Sequence, residues 1–188
     1  MGKLIIISAP SGCGKSTIIG RLFEMGDLNL RFSISATTRK PRGSEQNGVE
    51  YYFLDEKDFR DRIERGEFLE YEEVYAGCFY GTLRSEIDRL AAEGFNPILD
   101  IDVAGALRVK GFYGDQALSL FIMPPSVAEL RRRLEGRATD SAEAIDSRVA
   151  KAEHEISFAP RFDVSVVNDN LDEAVAEVHR IISAFLAR

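Results

Sequence analysis

An apolar, β-branched run, Leu4-Ile5-Ile6-Ile7, breaks at Ala9-Pro10-Ser11-Gly12-Cys13-Gly14, and from Lys15-Ser16-Thr17 onward Ile18, Ile19, Leu22 and Phe23 recur at helical spacing. A buried strand, a glycine-bearing turn and a helix in that order leave few folds open to the chain. Glycines permit the positive φ that turns successive backbone N–H groups inward around an anion. The helix that follows offers its positive end to the same anion. Apart from Ala9 in place of a first glycine, residues 9–16 carry the pattern of a phosphate-binding loop. In that pattern Lys15 reaches the β- and γ-phosphates of a nucleoside triphosphate and the Ser16 hydroxyl ligates magnesium. Ala9, Pro10, Ser11, Gly12, Cys13, Gly14, Lys15, Ser16 and Thr17 are therefore the candidate triphosphate cradle.

Strand and helix signals then alternate. A helix is expected through Ile87, Leu90 and Ala91, a strand over 97–101, a short helix over 103–109 and a strand over 117–123. Ser126 with Glu129 three residues on forms a capping box for another helix, a charged helix is expected over 141–157, and a last strand over 164–167. Asn170 caps a final helix with one apolar face. Such alternation implies a central parallel sheet with helices on both faces, the α/β phosphate-loop NTPase class. Residues 33–83 differ: aromatic residues interleaved with charge and turn signals predict an inserted subdomain of short strands and loops. Residues 126–159 are highly charged and too poor in apolar residues for a core of their own, which predicts a mobile helical lid. The core is then residues 1–32, 84–125 and 160–188.

Composition narrows the partners. Asp and Glu outnumber Lys and Arg, 31 to 24, for a net charge of −7, where a nucleic-acid-binding domain is normally basic. Two cysteines without Cys-x-x-Cys spacing, and no apolar run long enough for a signal segment or a membrane span, predict a reduced, cytoplasmic protein free of membrane. Nothing in the sequence indicates an oligomeric state.

Against the acidic background, particular residues stand out. Asp100 ends an apolar run, where open α/β sheets place their ligands, and can hold magnesium through water beside the loop. Asp102, two residues on, projects to the same side of an extended chain. Residues 35–42 combine hydroxyls with Arg39 and Arg42 around a proline turn, a device for clamping a phosphate. Tyr51 and Tyr80 can add phenolic donors, although tyrosines in such a segment are ordinarily packing residues. Arg131, Arg132, Arg133, Arg137 and Arg148 concentrate in the expected lid. A solvated charged face is the ordinary reading of such a stretch, and closure of arginines on a transferring phosphoryl group is the functional one. Cys13 reads as a small loop residue, and His154 and His179 as surface positions.

Taken together, residues 35–42, Asn47-Gly48 with Tyr51, Phe68-Leu69-Glu70, Tyr80-Gly81-Thr82, Asp100-Ile101-Asp102, the three arginines at 133, 137 and 148, and Val166-Val167-Asn168-Asp169 occur in the order and near-spacing of bacterial-type guanylate kinases. The resemblance runs from about residue 3 to the C-terminus. It implies phosphoryl transfer from ATP to GMP, with dGMP a further acceptor, and magnesium as cofactor. It implies that Arg39, Arg42, Tyr51 and Tyr80 hold the GMP phosphate, that Ser35, Glu70, Thr82 and Asp102 read guanine, that Lys15, Arg39, Arg133, Arg137 and Arg148 act in transfer, and that Asn168 lies near adenine. Guanine's N1 and N2 donors suit carboxylates and its O6 and N7 acceptors suit hydroxyls, whereas adenine would set a lone pair against a carboxylate. Three departures stand: Ala9, Ala104 where Gln is common, and a stretch from Glu70 to Tyr80 one residue longer than usual. That extra residue leaves open whether Glu70, Glu72 or Glu73 meets the base. Two other readings share the motifs: a phosphopeptide-binding module of the same fold, and a phosphate-loop kinase for another acceptor.

Overall fold

The computed structural model describes residues 2–136 and 141–188. The first expected strand forms as β1 (Leu4–Ser8), buried at every position, and the loop after it opens α1 (Lys15–Met25). A three-residue edge strand, β2 (Leu30–Phe32), comes next and escapes sequence reading because it is short and carries Arg31 at its centre. The segment expected to hold short strands and loops contains β3 (Ala36–Thr37), β4 (Tyr52–Phe53), α2 (Glu56–Glu64), β5 (Phe68–Tyr75) and β6 (Cys78–Leu83). The nine-residue helix α2 corrects that expectation. Its apolar signal is only Phe59 and Ile63, one turn apart. The rest of its support is Asp55, which caps it by accepting from Asp58 N, and ion pairs at i,i+4 such as Lys57–Asp61 and Arg60–Glu56. Phe59 is fully buried and stacks on Phe68 at 4.3 Å between centroids.

The alternation resumes with α3 (Arg84–Ala92), β7 (Asn96–Asp100), α4 (Val103–Tyr113), β8 (Ala117–Met123), α5 (Val127–Glu135), α6 (Ala142–Ile156), β9 (Val164–Val167) and α7 (Leu171–Leu186). Strand β7 stops at Asp100, one residue before the expected end, because Asp102 turns the chain into α4 by accepting from Gly105 N at 2.7 Å. Helix α4 runs a turn past the expected stop, to Tyr113.

Two sheets result. The larger is wholly parallel, in the order β2-β7-β1-β8-β9, and the smaller, β4-β3-β6-β5, lies entirely within residues 36–83. Alternation along β1 divides the larger core. Ile5 and Ile7 face α1, α5, α6 and α7, while Leu4 and Ile6 face α3 and α4. Each such fully buried side chain contributes about 1.5–3 kcal/mol. From helices α5 and α6, Leu130, Leu134, Ile145, Val149 and Ala152 are buried in the same cluster as Ile5, Ile7 and Cys13. In this structure residues 127–135 and 142–156 are thus docked on the central sheet. The pairing of Ile7 with Asp100 sets the end of β7 directly beside the loop that leaves β1.

Candidate active site

The phosphate-binding loop closes on itself through Cys13 N, which donates to Pro10 O at 3.2 Å, and takes φ of 93° at Gly12 and 84° at Gly14. Gly14 caps α1 without a side-chain acceptor, and no acidic residue occupies the helix's first turn. The positive end of α1 therefore takes no capping side chain from within its own first turn. A cavity of about 440 Å³ lies over this end, lined by every residue from Ala9 to Thr17 together with Asp100, Ile101, Asp102, Arg148, Lys151 and Glu155. The expected triphosphate cradle, the expected metal carboxylate and one expected lid arginine thus share one space.

Lys15 is ion-paired with Asp100 in this cavity. Burial holds its ammonium below the usual lysine range, with Glu155 and Asp102 acting in the opposite direction. The Cys13 thiol is pushed up to about 12, chiefly by burial, and so is no nucleophile. Among the described residues no cluster of three His, Cys, Asp or Glu side chains can hold a metal unaided. Hard oxygen donors line the cavity, among them the exposed Ser16 hydroxyl at the start of α1 and the Asp100 carboxylate at the end of β7, with Asp102 and Glu155 further round. An all-oxygen set without a preformed cage fits magnesium, which keeps waters and shares substrate phosphates.

Two expected residues lie behind the loop instead of in the cavity. Asn168 is 5% exposed, and its Nδ2 donates to Cys13 O at 2.8 Å while its backbone N donates to Met123 O. Arg133 donates from Nη1 to Asn168 O at 2.9 Å and from Nε to Glu129 at 2.9 Å. Both side chains brace the loop from its outer side. Arg137 lies outside the described residues.

On the smaller sheet, Arg39 donates to the Tyr80 hydroxyl at 3.2 Å and sits 5.2 Å from the Tyr51 ring centroid. Its two terminal nitrogens donate to Glu45 at 2.9 and 3.0 Å, and Arg42 N donates to the same carboxylate. Arg39, Tyr51 and Tyr80 are thereby assembled, with Arg42 adjoining through its backbone. Glu45, which sequence reasoning passed over, orders the arginine loop.

Glu70 and Thr82 are paired across β5 and β6, with Thr82 Oγ1 donating to Glu70 at 2.6 Å. A Cβ placed on Gly105 would meet Glu70 Oε2 at 3.2 Å and Asp102 Oδ1 at 3.4 Å, so the two carboxylates converge there. Burial pushes the Glu70 carboxyl up, against the Thr82 hydrogen bond, and the nearby Asp102 charge adds to the rise. Glu72 is exposed near Arg108, and Glu73 accepts from Gly77 N. The structure therefore sets Glu70 against both Thr82 and Asp102, while Glu72 lines a separate cavity with Asp102 and Arg108. Ser35 is half-buried, and its carbonyl accepts from Tyr52 N.

The family model described as guanylate kinase matches residues 1–185. The chain belongs to the guanylate kinase family. It is 57% identical to the guanylate kinase of Porphyromonas gingivalis over the whole of both chains. It is 51% identical to that of Salinibacter ruber over 98% of this chain and 97% of the relative. The crystal structure of guanylate kinase from Anaplasma phagocytophilum superposes with a TM-score of 0.72 at 32% identity, covering 100% of this chain and 87% of that one. Shikimate kinase from Bacteroides thetaiotaomicron, at 13% identity and a TM-score of 0.51, shares the fold alone. Among the residues lining the cavity, Lys151 and Glu155 went unmarked in the sequence, although they follow Arg148 at +3 and +7 on one helical face.

Proposed function

We infer that this guanylate kinase transfers the γ-phosphoryl group of ATP to GMP, and to dGMP through the same base contacts. The observation that carries the reading is the pairing of two unlike sites. A loop-and-helix anion cradle holds Lys15, and beside it the Glu70, Thr82 and Asp102 group matches the donor and acceptor edge of guanine. No protein nucleophile is needed, since in-line transfer asks chiefly for positioning and charge stabilisation. The loop N–H groups and Lys15 hold the ATP phosphates. Arg39, Arg42, Tyr51 and Tyr80 hold the GMP phosphate, for which Glu45 keeps the Arg39 fork oriented. Arg148, with Arg137, meets charge developing on the transferred group. Ser16 and, through water, Asp100 would hold magnesium, which supplies neutralising charge to the phosphates when bound. Arg133 and Asn168 act from behind by bracing the loop. Residues 33–83 swing over the core to bring the acceptor to the donor and exclude water, while α5 and α6 stay docked on the central sheet.

The setting is a cytoplasmic one, with ATP and GMP as the partners and neither nucleic acid nor membrane required. Two free cysteines, the acidic net charge and the lack, among the described residues, of any helix long and apolar enough to cross a membrane agree with it.

Coupled ADP release with ATP and magnesium, supplied separately with GMP, AMP, dTMP and UMP, tests this directly. Turnover with GMP alone is expected. Turnover with another acceptor alone would reassign the base site, and none with any acceptor would favour a binding module.

Glu70→Gln is expected to raise the KM for GMP about tenfold or more, because an amide donates where guanine also donates. The same substitution should leave the unliganded Tm equal or higher. A carboxyl whose folded pKa is raised favours the folded state below its unfolded pKa and loses that contribution as pH rises through the folded one. At neutral pH the ionised Glu70 therefore opposes folding, and glutamine removes the opposition. GMP affinity should also weaken as pH falls into the raised Glu70 range, where the protonated carboxyl stops accepting. Steady-state GMP titrations across pH, with thermal melts of both proteins, check all three; an unchanged KM in the variant would refer the contact to another acceptor.

A further inference from the structure

Glu86 sits in the first turn of α3, immediately after the chain leaves the smaller sheet, and its side chain is 1% exposed. Four donors converge on it. Arg89 donates from Nε and Nη2 at 2.9 Å each, Tyr52 from its hydroxyl at 2.9 Å, and Ile34 from its backbone N at 3.3 Å. Four is about the full accepting capacity of a carboxylate. The donors come from three different places. Arg89 belongs to the core helix. Ile34 lies in the connection from β2 to β3 by which the chain enters the inserted segment, one residue after Ser33 bonds to the large sheet through Ile98 O at 3.1 Å. Tyr52 stands on β4, inside the smaller sheet, and packs against the Phe59, Phe68 and Phe79 cluster.

Both partners on the inserted side adjoin acceptor-site residues. Ile34 precedes Ser35, and Tyr52 follows Tyr51, whose ring is 5.9 Å from that of Tyr80. Consecutive side chains of an extended segment point to opposite sides, so a bond from Tyr52 to the core sets the side from which Tyr51 faces Arg39. We propose that Glu86 is a positioning residue for the acceptor nucleotide, a single carboxylate that fixes where the smaller sheet stands on the core and so where the GMP contacts meet the phosphate cradle. The inference rests on the reading of that sheet as the GMP site.

Glu86→Gln keeps the shape but cannot accept all four bonds, and it leaves Arg89 partly in water, so no charge is stranded in the interior. Expected is a rise of about tenfold in the KM for GMP, with the KM for ATP and the kcat at saturating substrates held within about twofold. Tyr52→Phe, which removes one donor, should show the same split at about threefold, and the double variant should show less than the product of the two effects. GMP titration calorimetry without ATP should repeat the order. Equal rises for ATP and GMP accompanied by a lower Tm would overturn the proposal, since that is the signature of a merely structural residue. So would an unchanged KM for GMP in either folded variant. If Glu86→Gln fails to fold, Tyr52→Phe decides alone. A wild-type chain that does not phosphorylate GMP would defeat the functional reading and this inference together, whereas an active wild type with unmoved variants defeats this inference only.

Discussion

Lys15→Ala is expected to lower kcat about a thousandfold while leaving the fold intact, the size of effect that follows removal of a donor aimed at transition-state charge. The ammonium lines the cavity over the first turn of α1 and pairs there with Asp100. Burial holds its pKa below the ordinary lysine value. The sign of that shift separates function from stability. A lysine whose folded pKa is lowered binds its proton more readily in the unfolded chain, so its charge opposes folding at neutral pH and truncation removes the opposition. Asp100, the partner left behind, keeps access to solvent. Tm should therefore change little. Lys15→Arg should fail to restore turnover, because a planar fork does not reproduce a compact ammonium. The wild-type kcat/KM for ATP, which reports the free enzyme, should also decline on the alkaline side at a lower pH than an ordinary lysine would give, as Lys15 loses its proton. Thermal melts, kcat values and kcat/KM–pH profiles of the three proteins check this. Near-normal turnover in Lys15→Ala would remove the lysine from the phosphate site.

What the sequence made legible follows from the range of the physics involved. The phosphate loop is a local object: strand, glycine turn and helix are contiguous, and nearby residues decide its conformation. The same is true of the capped helices, where Ser126, Ser141 and Asn170 each accept from backbone N–H groups two or three residues ahead. Asn168 is expected near adenine from the resemblance, yet its side chain bonds Cys13 across 155 positions, and no local pattern says which of its faces the loop occupies. Arg133 was hidden in the same way, since Glu129 on its own helix and the Asn168 carbonyl claim its guanidinium. Glu70 could not be told from Glu72 and Glu73 until register was known, because strand irregularities on either side of this stretch upset simple alternation. Helix α2 was obscured by its own surface, where charge pairs carry the periodicity and one phenylalanine carries the burial. Lys151 and Glu155 were within reach, because the helix predicted over 141–157 already implied that they share the face of Arg148.

Gly14→Ala should be the most damaging single methyl group in the chain. Gly14 holds φ at 84°, a conformation that L side chains rarely adopt, and an added Cβ would run into Asn168 Nδ2. Asn168 has little room to yield, being fixed by its bonds to Cys13 O, Met123 O and Arg133. Either those bonds break or the loop turns its N–H groups away from the cavity. Combining backbone strain with lost buried hydrogen bonds gives a destabilisation of about 2–4 kcal/mol. ATP affinity should fall about a hundredfold with it, since the cradle is made of backbone whose orientation has been changed. GMP binding, which depends on the smaller sheet, should persist. Gly20, in the middle of α1 with nothing within 4 Å of an added Cβ, is the matched control, and Gly20→Ala should stabilise the chain by up to about 1 kcal/mol. The double variant Gly14→Ala/Asn168→Ala separates the two causes. Truncating Asn168 relieves the steric clash and should return part of the stability, but the left-handed backbone is still imposed on alanine, so ATP affinity should stay low. Recovery of ATP affinity in the double variant would mean that side-chain packing, and not the glycine backbone, shapes the cradle.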